Sequence, residues 1–162
     1  MISNTDSKRE LLRHTVATLA YRGRKAVQKA PDGFEKFTIG DKTRTPAEIL
    51  SHIGDLLDWA LALAKGQPAW QNSLPRSWKQ EVGRFVKALQ KFDSFLASEE
   101  PLGCLPEKLF QGPVADSFTH VGQIAMLRRL AGSPVRGENY FKADIQAGRV
   151  GSDQAIARKE FD

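Results

Sequence analysis

The amino-acid sequence predicts an all-α fold, and more specifically a four-helix bundle. Apolar residues recur at helical spacing in four segments, each of roughly 20 residues, and glycines and prolines separate these segments. Almost no segment shows the apolar and polar alternation that is typical of β-strands. The chain has 162 residues, enough for one domain with a substantial core. We therefore expect a single domain over residues 1–162, with a helical core from about 7 to 132 and a C-terminal extension over 133–162.

The first helix is predicted near residues 7 to 29, with Asp6 or Ser7 as its N-cap. The apolar positions that support it are Leu11, Leu12, Val16, Leu19 and Val27. The following segment, "PDGFEKFTIGDKTRT", is polar and interrupted by glycine and proline, so we expect an ordered loop. Its apolar residues Phe34, Phe37 and Ile39 would either cover an edge of the bundle or form a short strand.

The second helix, near 46 to 65, has the clearest start signal in the chain. Thr45 is the predicted N-cap, Pro46 takes the first helical position, and Glu48 completes a capping box. Gly66 supplies a left-handed C-terminal residue, and Pro68 follows it.

The third and fourth helices are predicted near 77 to 97 and 113 to 131. The third begins at Arg76 or Ser77, and its apolar positions are Trp78, Val82, Phe85, Val86, Leu89, Phe92 and Leu96. The fourth begins at Pro113 after Gly112, with a short turn through "PEKLF" before it, and ends at Gly132. Beyond it we expect one short helix, "YFKADIQAG", and a frayed end.

Composition and charge narrow the class of protein. The 24 Lys and Arg residues are interspersed with 19 Asp and Glu, and the net charge is +5. This pattern is typical of charged residues on solvent-exposed helix faces, so we do not expect a nucleic-acid partner. The longest apolar run, "AEILSHIGDLLDWALALA", contains three polar residues, which disfavours a membrane span. One cysteine allows no internal disulfide, and the start of the chain lacks a signal-peptide pattern, so we expect a cytoplasmic protein.

Two polar residues, Asp116 and His120, lie within the apolar stripe of the fourth helix. On a helical wheel with Asp116 at 0°, His120 falls near 40°, between Leu127 and Ile124. His52 lies in the same way within the apolar stripe of the second helix. If the second and fourth helices run parallel, as up-down-up-down order requires, these three residues occupy one layer of the bundle.

Two imidazoles and one carboxylate match the ligand set of a first-row divalent metal ion with open positions for water or substrate. The spacing of four allows Asp116 and His120 to point at one ion. The alternative is structural: His52 is a hydrogen-bonded core histidine, and Asp116 caps the fourth helix and pairs with His120.

The segments "ILSHIGDLLDW" and "THVGQIAMLRRLAG" resemble the DinB-like family of damage-inducible four-helix-bundle proteins. That family carries one metal-binding histidine on its second helix and an HxxxH pair on its fourth, with a Gly-Gln pair near the last histidine. His52 matches the first position, His120 the last, and Gly122-Gln123 the Gly-Gln pair. Asp116 stands where the family has the first histidine of HxxxH, so the resemblance implies a site of two histidines and one carboxylate.

The resemblance also implies a class of function. We expect a metal-dependent protein with Zn, Ni, Fe or Mn, acting on a small molecule as a transferase for a low-molecular-weight thiol or as a hydrolase. In such a transferase the ion would bind the external thiol, so no cysteine of the chain would be needed. The alternative is a non-catalytic bundle that binds a partner or forms a homodimer, with a purely structural polar trio.

Other polar and aromatic residues are weaker candidates for the site. Asp55 either accepts a hydrogen bond from the second ring nitrogen of His52 or faces solvent. Gln123 either orients a bound water or makes ordinary hydrogen bonds at the edge of the core. We expect surface or packing roles for His14, an inert thiol at Cys104 and packing roles for Trp59, Trp70 and Trp78.

Overall fold

The computed structural model describes residues 4–161, with side chains described from Ser7 onward. Its α-helices are α1 (Asn4–Val27), α2 (Pro46–Ala64), α3 (Trp78–Ala97), the short α4 (Pro106–Leu109) and α5 (Ala115–Leu130). Single 3₁₀ turns cover Phe34–Lys36 and Tyr140–Lys142, and β1 (Gly137–Glu138) pairs antiparallel with β2 (Glu160–Phe161). Because the strands in this part of the chain are two residues long, the predicted all-α class is confirmed.

The four long helices enclose one hydrophobic core. α2 packs against α3 and α5, and α1 packs against the same two helices from the other side. Val16, Leu57, Phe92 and Ile124, one from each long helix, are fully buried. Burial of these stripes is the main source of stability, since most helical stability in proteins comes from packing of an apolar face.

The predicted helix signals have mixed outcomes. In the capping box, the Thr45 N–H donates to the Glu48 carboxylate at 2.7 Å and the Glu48 N–H donates to the Thr45 hydroxyl at 3.3 Å. Gly66 has the expected left-handed conformation, with φ of 70°. The N-cap predicted at Asp6 or Ser7 is wrong, because the chain is already helical at Asn4 and both residues lie inside α1.

Hydrogen bonds from two arginines establish the directions of α1, α3 and α5. Arg9, near the start of α1, donates to the carbonyl oxygen of Leu96 at the end of α3 at 2.7 Å. Arg128, near the end of α5, donates to the carbonyl oxygens of Ala26 and Gln28 at the end of α1. α1 is therefore antiparallel to α3 and parallel to α5.

Helix α2 runs parallel to α3. Arg84, in the first half of α3, donates to the Ser51 carbonyl oxygen and the Asp55 carboxylate in the first half of α2. At the other end, the Lys65 ammonium lies 5.8 Å from the centroid of the Phe95 ring. Since α3 is antiparallel to α1, and α5 is parallel to α1, α2 is antiparallel to α5.

The prediction that the second and fourth helices run parallel is thus wrong, and the helices follow an up-down-down-up order. The physical reason is the connection over residues 65–77. A helix of the length of α2 spans about 28 Å, and thirteen extended residues reach about 43 Å, so this connection can return the chain to the starting end of α2 before α3 begins.

The C-terminal extension differs from its prediction. The segment expected to form a short helix contains only the 3₁₀ turn Tyr140–Lys142. The chain beyond it is not frayed within the described residues, because Val150 and Gln154 are buried and β2 pairs with β1. Before the turn, the buried Glu138 carboxylate accepts hydrogen bonds from the Tyr21 hydroxyl and the Lys25 ammonium, each at 2.7 Å. Lys25 also pairs with Glu160 of β2 at 2.7 Å. Between residues 4 and 161, no helix is both long and apolar enough for a membrane crossing.

Candidate metal site

The structure brings His52, Asp116 and His120 together. His52 lies in the second turn of α2, and Asp116 and His120 lie in the first turns of α5. One ligand atom from each of the three side chains lies within 4.8 Å of the others. The residues converge although the helices are antiparallel, because His52 near the start of α2 lies opposite the first half of α5.

The ring nitrogens of both histidines face the same carboxylate. The His120 Nε2 atom lies 3.5 Å from Asp116 Oδ1, and the His52 Nε2 atom lies 3.9 Å from Asp116 Oδ2. The two imidazole rings are nearly perpendicular, with centroids 4.7 Å apart. The Nε2 atoms and the carboxylate oxygens therefore surround one small volume.

Gln123 determines which nitrogen of His120 is available. The Gln123 Oε1 atom lies 2.8 Å from His120 Nδ1. An amide oxygen only accepts, so this hydrogen bond places the proton of a neutral His120 on Nδ1 and leaves the lone pair of Nε2 directed at Asp116. Outer-sphere contacts of this type fix the tautomer and orientation of metal-ligating histidines.

The His52 side chain is suited to the same role. Burial lowers its pKa, and electrostatic interactions with His120 and Arg44 lower it further, although Asp116 and Asp55 act in the opposite direction. The neutral, metal-binding form of the ring is therefore favoured at neutral pH. Among the described residues, His52 has no hydrogen-bond partner, so the structural alternative of a hydrogen-bonded core histidine does not apply.

The structural alternative for Asp116 is observed only in part: Asp116 does not cap α5, but its carboxylate does lie beside His120. Val114 precedes α5 as its cap residue, no side chain caps that end, and the chain is already helical before it. The Asp116 side chain is 48% exposed, whereas those of His52 and His120 are 20% and 11% exposed. Asp116 is thus the solvent-facing member of the cluster.

The donor set fits a first-row divalent ion. Neutral imidazole and carboxylate are common ligands of Zn²⁺ and of its neighbours in the first row. Ligand atoms on one ion at about 2.1 Å stand roughly 3 to 3.5 Å apart. The His120–Asp116 separation of 3.5 Å falls within this range, and the His52–Asp116 separation of 3.9 Å is slightly wider. Three protein ligands leave coordination positions open, as in catalytic metal sites.

Neither expectation for Asp55 is correct. The residue is 4% exposed, so it does not face solvent. Its carboxylate accepts hydrogen bonds from the Ser73 N–H at 2.9 Å, the Ser73 hydroxyl at 2.7 Å and Arg84 at 2.6 Å. These contacts hold the 65–77 connection against α2 and α3, and His52 is not among them.

Two residues at the site were not predicted. The Trp70 ring lies edge-on to His52, with centroids 5.7 Å apart, and has the same separation from Trp59. An aromatic residue inside the polar segment "GQPAWQNSLP" is the signal that could have revealed it, since no helical stripe accounts for its packing. Arg44, directly before the capping box of α2, lies in a segment that the sequence predicts only as a polar loop.

The other candidates behave as expected. His14 is exposed on α1. Cys104 is half-buried, and burial raises the pKa of its thiol, which disfavours the thiolate. The Gly103 N–H donates to the Ala64 carbonyl oxygen, which places Cys104 near the end of α2, about 18 Å along the helix from His52. Trp78 packs edge-on against the buried Phe34.

Comparison of the chain with protein-family models, with curated proteins and with solved structures finds no match. Functional inference for this chain therefore depends on the geometry of His52, Asp116 and His120, and on the sequence pattern around them.

Proposed function

We propose that the chain is a DinB-like four-helix-bundle protein that binds one first-row divalent metal ion through His52, Asp116 and His120. The observation that carries this proposal is the convergence of three acceptor groups on one small volume. The sequence resemblance around His52 and His120 supports the same ligand set. It also supports a bundle of the DinB-like type.

Electrostatics favours a cation in this cluster. With Nδ1 of His120 protonated toward Gln123, its Nε2 lone pair faces a carboxylate oxygen at 3.5 Å. Two acceptors that face each other repel unless a proton or a metal ion lies between them. Asp116 has no Lys or Arg partner among the described residues, so a metal ion would supply the missing positive charge.

We further propose a metal-dependent reaction, either transfer of a low-molecular-weight thiol to an electrophile or hydrolysis. A bound divalent ion lowers the pKa of a thiol or water that it holds, so the attacking group would come from outside the chain. The residues of the chain bind and orient: His52 and His120 hold the inner side of the site, Gln123 fixes the His120 ring, and the exposed side of Asp116 leaves a path from solvent.

The direct test is the metal content of the protein purified without a histidine tag. We expect about one equivalent of a single divalent metal, and elemental analysis will distinguish Zn, Ni, Fe and Mn. Alanine variants of His52, Asp116 and His120 should each lose most of this metal and remain helical by circular dichroism. His14→Ala, which removes an exposed histidine on α1, is the matched control and should keep it.

The thermal unfolding of the same samples gives a second measurement. Free ion at a hundred times its Kd stabilises the native state by about 2.7 kcal/mol, so wild type and His14→Ala should unfold at a higher temperature with metal than without. The three ligand variants should lack this difference. Stoichiometric metal in a His52→Ala, His120→Ala double variant would place the ion elsewhere and overturn the proposal.

The proposed chemistry is tested with metal-loaded protein, a low-molecular-weight thiol such as cysteine or glutathione, and the chromogenic electrophile 1-chloro-2,4-dinitrobenzene. We expect Cys104→Ser to retain the rate of wild type and Asp116→Ala to lose it. Activity that depends on Cys104 but not on Asp116 would reverse the assignment. Metal binding without activity toward any thiol or hydrolysable ester would favour the non-catalytic alternative, and light scattering would then test for the homodimer.

A further inference from the structure

An apolar cavity of about 410 Å³ lies beside the candidate metal site. His120 and Gln123 line it on the side of the site, and its volume falls in the range typical of small-molecule pockets. The walls come from the loop before α2, from α2 itself and from the second half of α5, and the apolar residues among them are Ile39, Ile49, Met126, Leu127 and Leu130.

Three of the apolar residues that line the cavity are unusually exposed to solvent. Ile39, Met126 and Leu130 are 56%, 55% and 54% exposed, although each lines the cavity. Apolar surface that is concentrated in a concave site and bordered by polar groups is typical of ligand-binding grooves.

Arg44 gives the cavity its charge. It is the single Lys or Arg side chain in the described lining, and no acidic side chain lines the cavity. Within residues 4–161, its guanidinium makes no hydrogen bond or ion pair to a protein group, and its charge acts only at longer range on Glu48 and His52. Guanidinium groups bind carboxylates and sulfonates through two parallel N–H donors, so this one is free to receive an anion.

We propose that this cavity binds the substrate of the candidate metal site, and that the substrate is an amphipathic organic anion. Its apolar body would lie against Ile49, Leu127 and Leu130, and its carboxylate or similar group would pair with Arg44. The role as substrate depends on the proposed metal-dependent function, whereas the binding of such an anion does not.

The charge pattern distinguishes this class from other small molecules. A neutral apolar compound would gain from the walls but would leave Arg44 without a partner. A polyanion would place several charges against apolar residues at a cost in desolvation. One anionic group on an apolar body satisfies both features of the cavity.

A matched pair of fluorescent probes tests the proposal. The anion 8-anilinonaphthalene-1-sulfonate and the neutral N-phenyl-1-naphthylamine share one aromatic body and differ by the sulfonate. In titrations of chelator-treated protein, we expect Arg44→Gln to lower the affinity for the anionic probe about fivefold, which is the effect of losing a partly exposed ion pair. The affinity for the neutral probe should be nearly unchanged. Leu130→Asn should lower the affinity for both probes.

Two matched controls identify the cavity as the binding site. Arg129→Gln removes an exposed arginine of α5 that does not line the cavity, and Leu105→Asn changes an exposed leucine before α4. Neither should affect either probe. Unchanged affinity of the anionic probe in Arg44→Gln would overturn the proposal, as would affinity that falls with rising protein concentration, because a second copy of the chain would then cover the cavity.

This design tests the anion-binding cavity and the metal-dependent function separately, so one can be contradicted while the other stands. Measurements on chelator-treated protein test Arg44 and the apolar wall without any ion. Addition of Zn²⁺ then tests the link to the metal site: we expect the preference for the anionic over the neutral probe to increase in wild type and not in His120→Ala. If the preference for the anionic probe depends on Arg44 but does not change with Zn²⁺, the cavity is an anion site but is not the substrate site of the metal centre.

Discussion

Gln123 orients one histidine of the candidate ligand set formed by His52, Asp116 and His120. Its carboxamide oxygen, 2.8 Å from His120 Nδ1, orients the ring, and its side chain also lines the neighbouring cavity. The same residue thus borders the candidate ion and the candidate substrate, on the exposed side of α5.

Replacement of Gln123 by leucine should weaken metal binding without removing a ligand. The His120 Nδ1–H would lose its acceptor, and loss of such outer-sphere contacts typically lowers metal affinity about 10- to 100-fold. Competition with a chromophoric zinc chelator measures this change. Gln123→Glu keeps an acceptor and should bind close to wild type, and Gln67→Leu, in the exposed loop after α2, is the control. Equal affinity in Gln123→Leu and wild type would show that the contact has no role in metal binding.

Two features that depend on local rules were predicted correctly from the sequence. The Thr45 capping box and the left-handed Gly66 depend on neighbours within a few positions, and both are confirmed. The meeting of His52 with Asp116 and His120 was predicted from helical wheels and from matched depths on parallel helices; the residues do meet, but on antiparallel helices. Asp55 was misread, and the position of Trp70 beside His52 was not predicted, because the partners Arg84 and His52 lie 29 and 18 positions away in sequence, on other elements.

At the scale of elements, the start of α5 is less simple than the sequence suggested. The chain is helical from Pro106 onward, passes through a wide turn over Phe110–Val114 and is locally non-helical at Gly112, with φ of −91° and ψ of −105°. The prediction began the helix at Pro113, because proline favours the first helical position. The regular turns that carry Asp116 and His120 follow directly after this irregularity.

The connection between α2 and α3 depends on one buried carboxylate. Burial acts to raise the pKa of Asp55, but the hydrogen bonds from Ser73 and Arg84 outweigh it and lower the pKa below its ordinary value. A lowered pKa in the native state means that Asp55 stabilises the fold above the pKa of the unfolded chain, about 4, and that this contribution is lost as pH falls through the native pKa.

Asp55→Asn should therefore lower the free energy of unfolding by about 3 kcal/mol at pH 7, the typical effect of removing one partner of a buried ion pair. The difference from wild type should narrow below about pH 4 in urea titrations. Asp58→Asn is a matched control, since the exposed Asp58 contacts the same Arg84 guanidinium at 2.8 Å and should contribute less than about 1 kcal/mol. A gap that stays constant between pH 7 and pH 2.5 would contradict this role.

At the scale of the whole molecule, the up and down directions of the helices could not be predicted from the sequence. The apolar stripes predict four helices and a common core, and both are present. They contain no information on direction, because the connections over 28–45 and 65–77 are long enough to let the next helix begin at either end. The antiparallel packing of α2 and α5 follows from contacts such as those of Arg84 and Arg128, whose partners cannot be recognised from local pattern.

The contacts of Glu138 bear on the order in which the molecule can be completed during synthesis. Tyr21 and Lys25 of α1 emerge from the ribosome early, but their partner follows 117 and 113 residues later. At a synthesis rate of about 5–20 residues per second, Glu138 is made on the order of ten seconds after Lys25, whose charge it neutralises. α1, α2 and α3 can begin to pack in that interval, and the contacts that hold the C-terminal segment on α1 form late in synthesis.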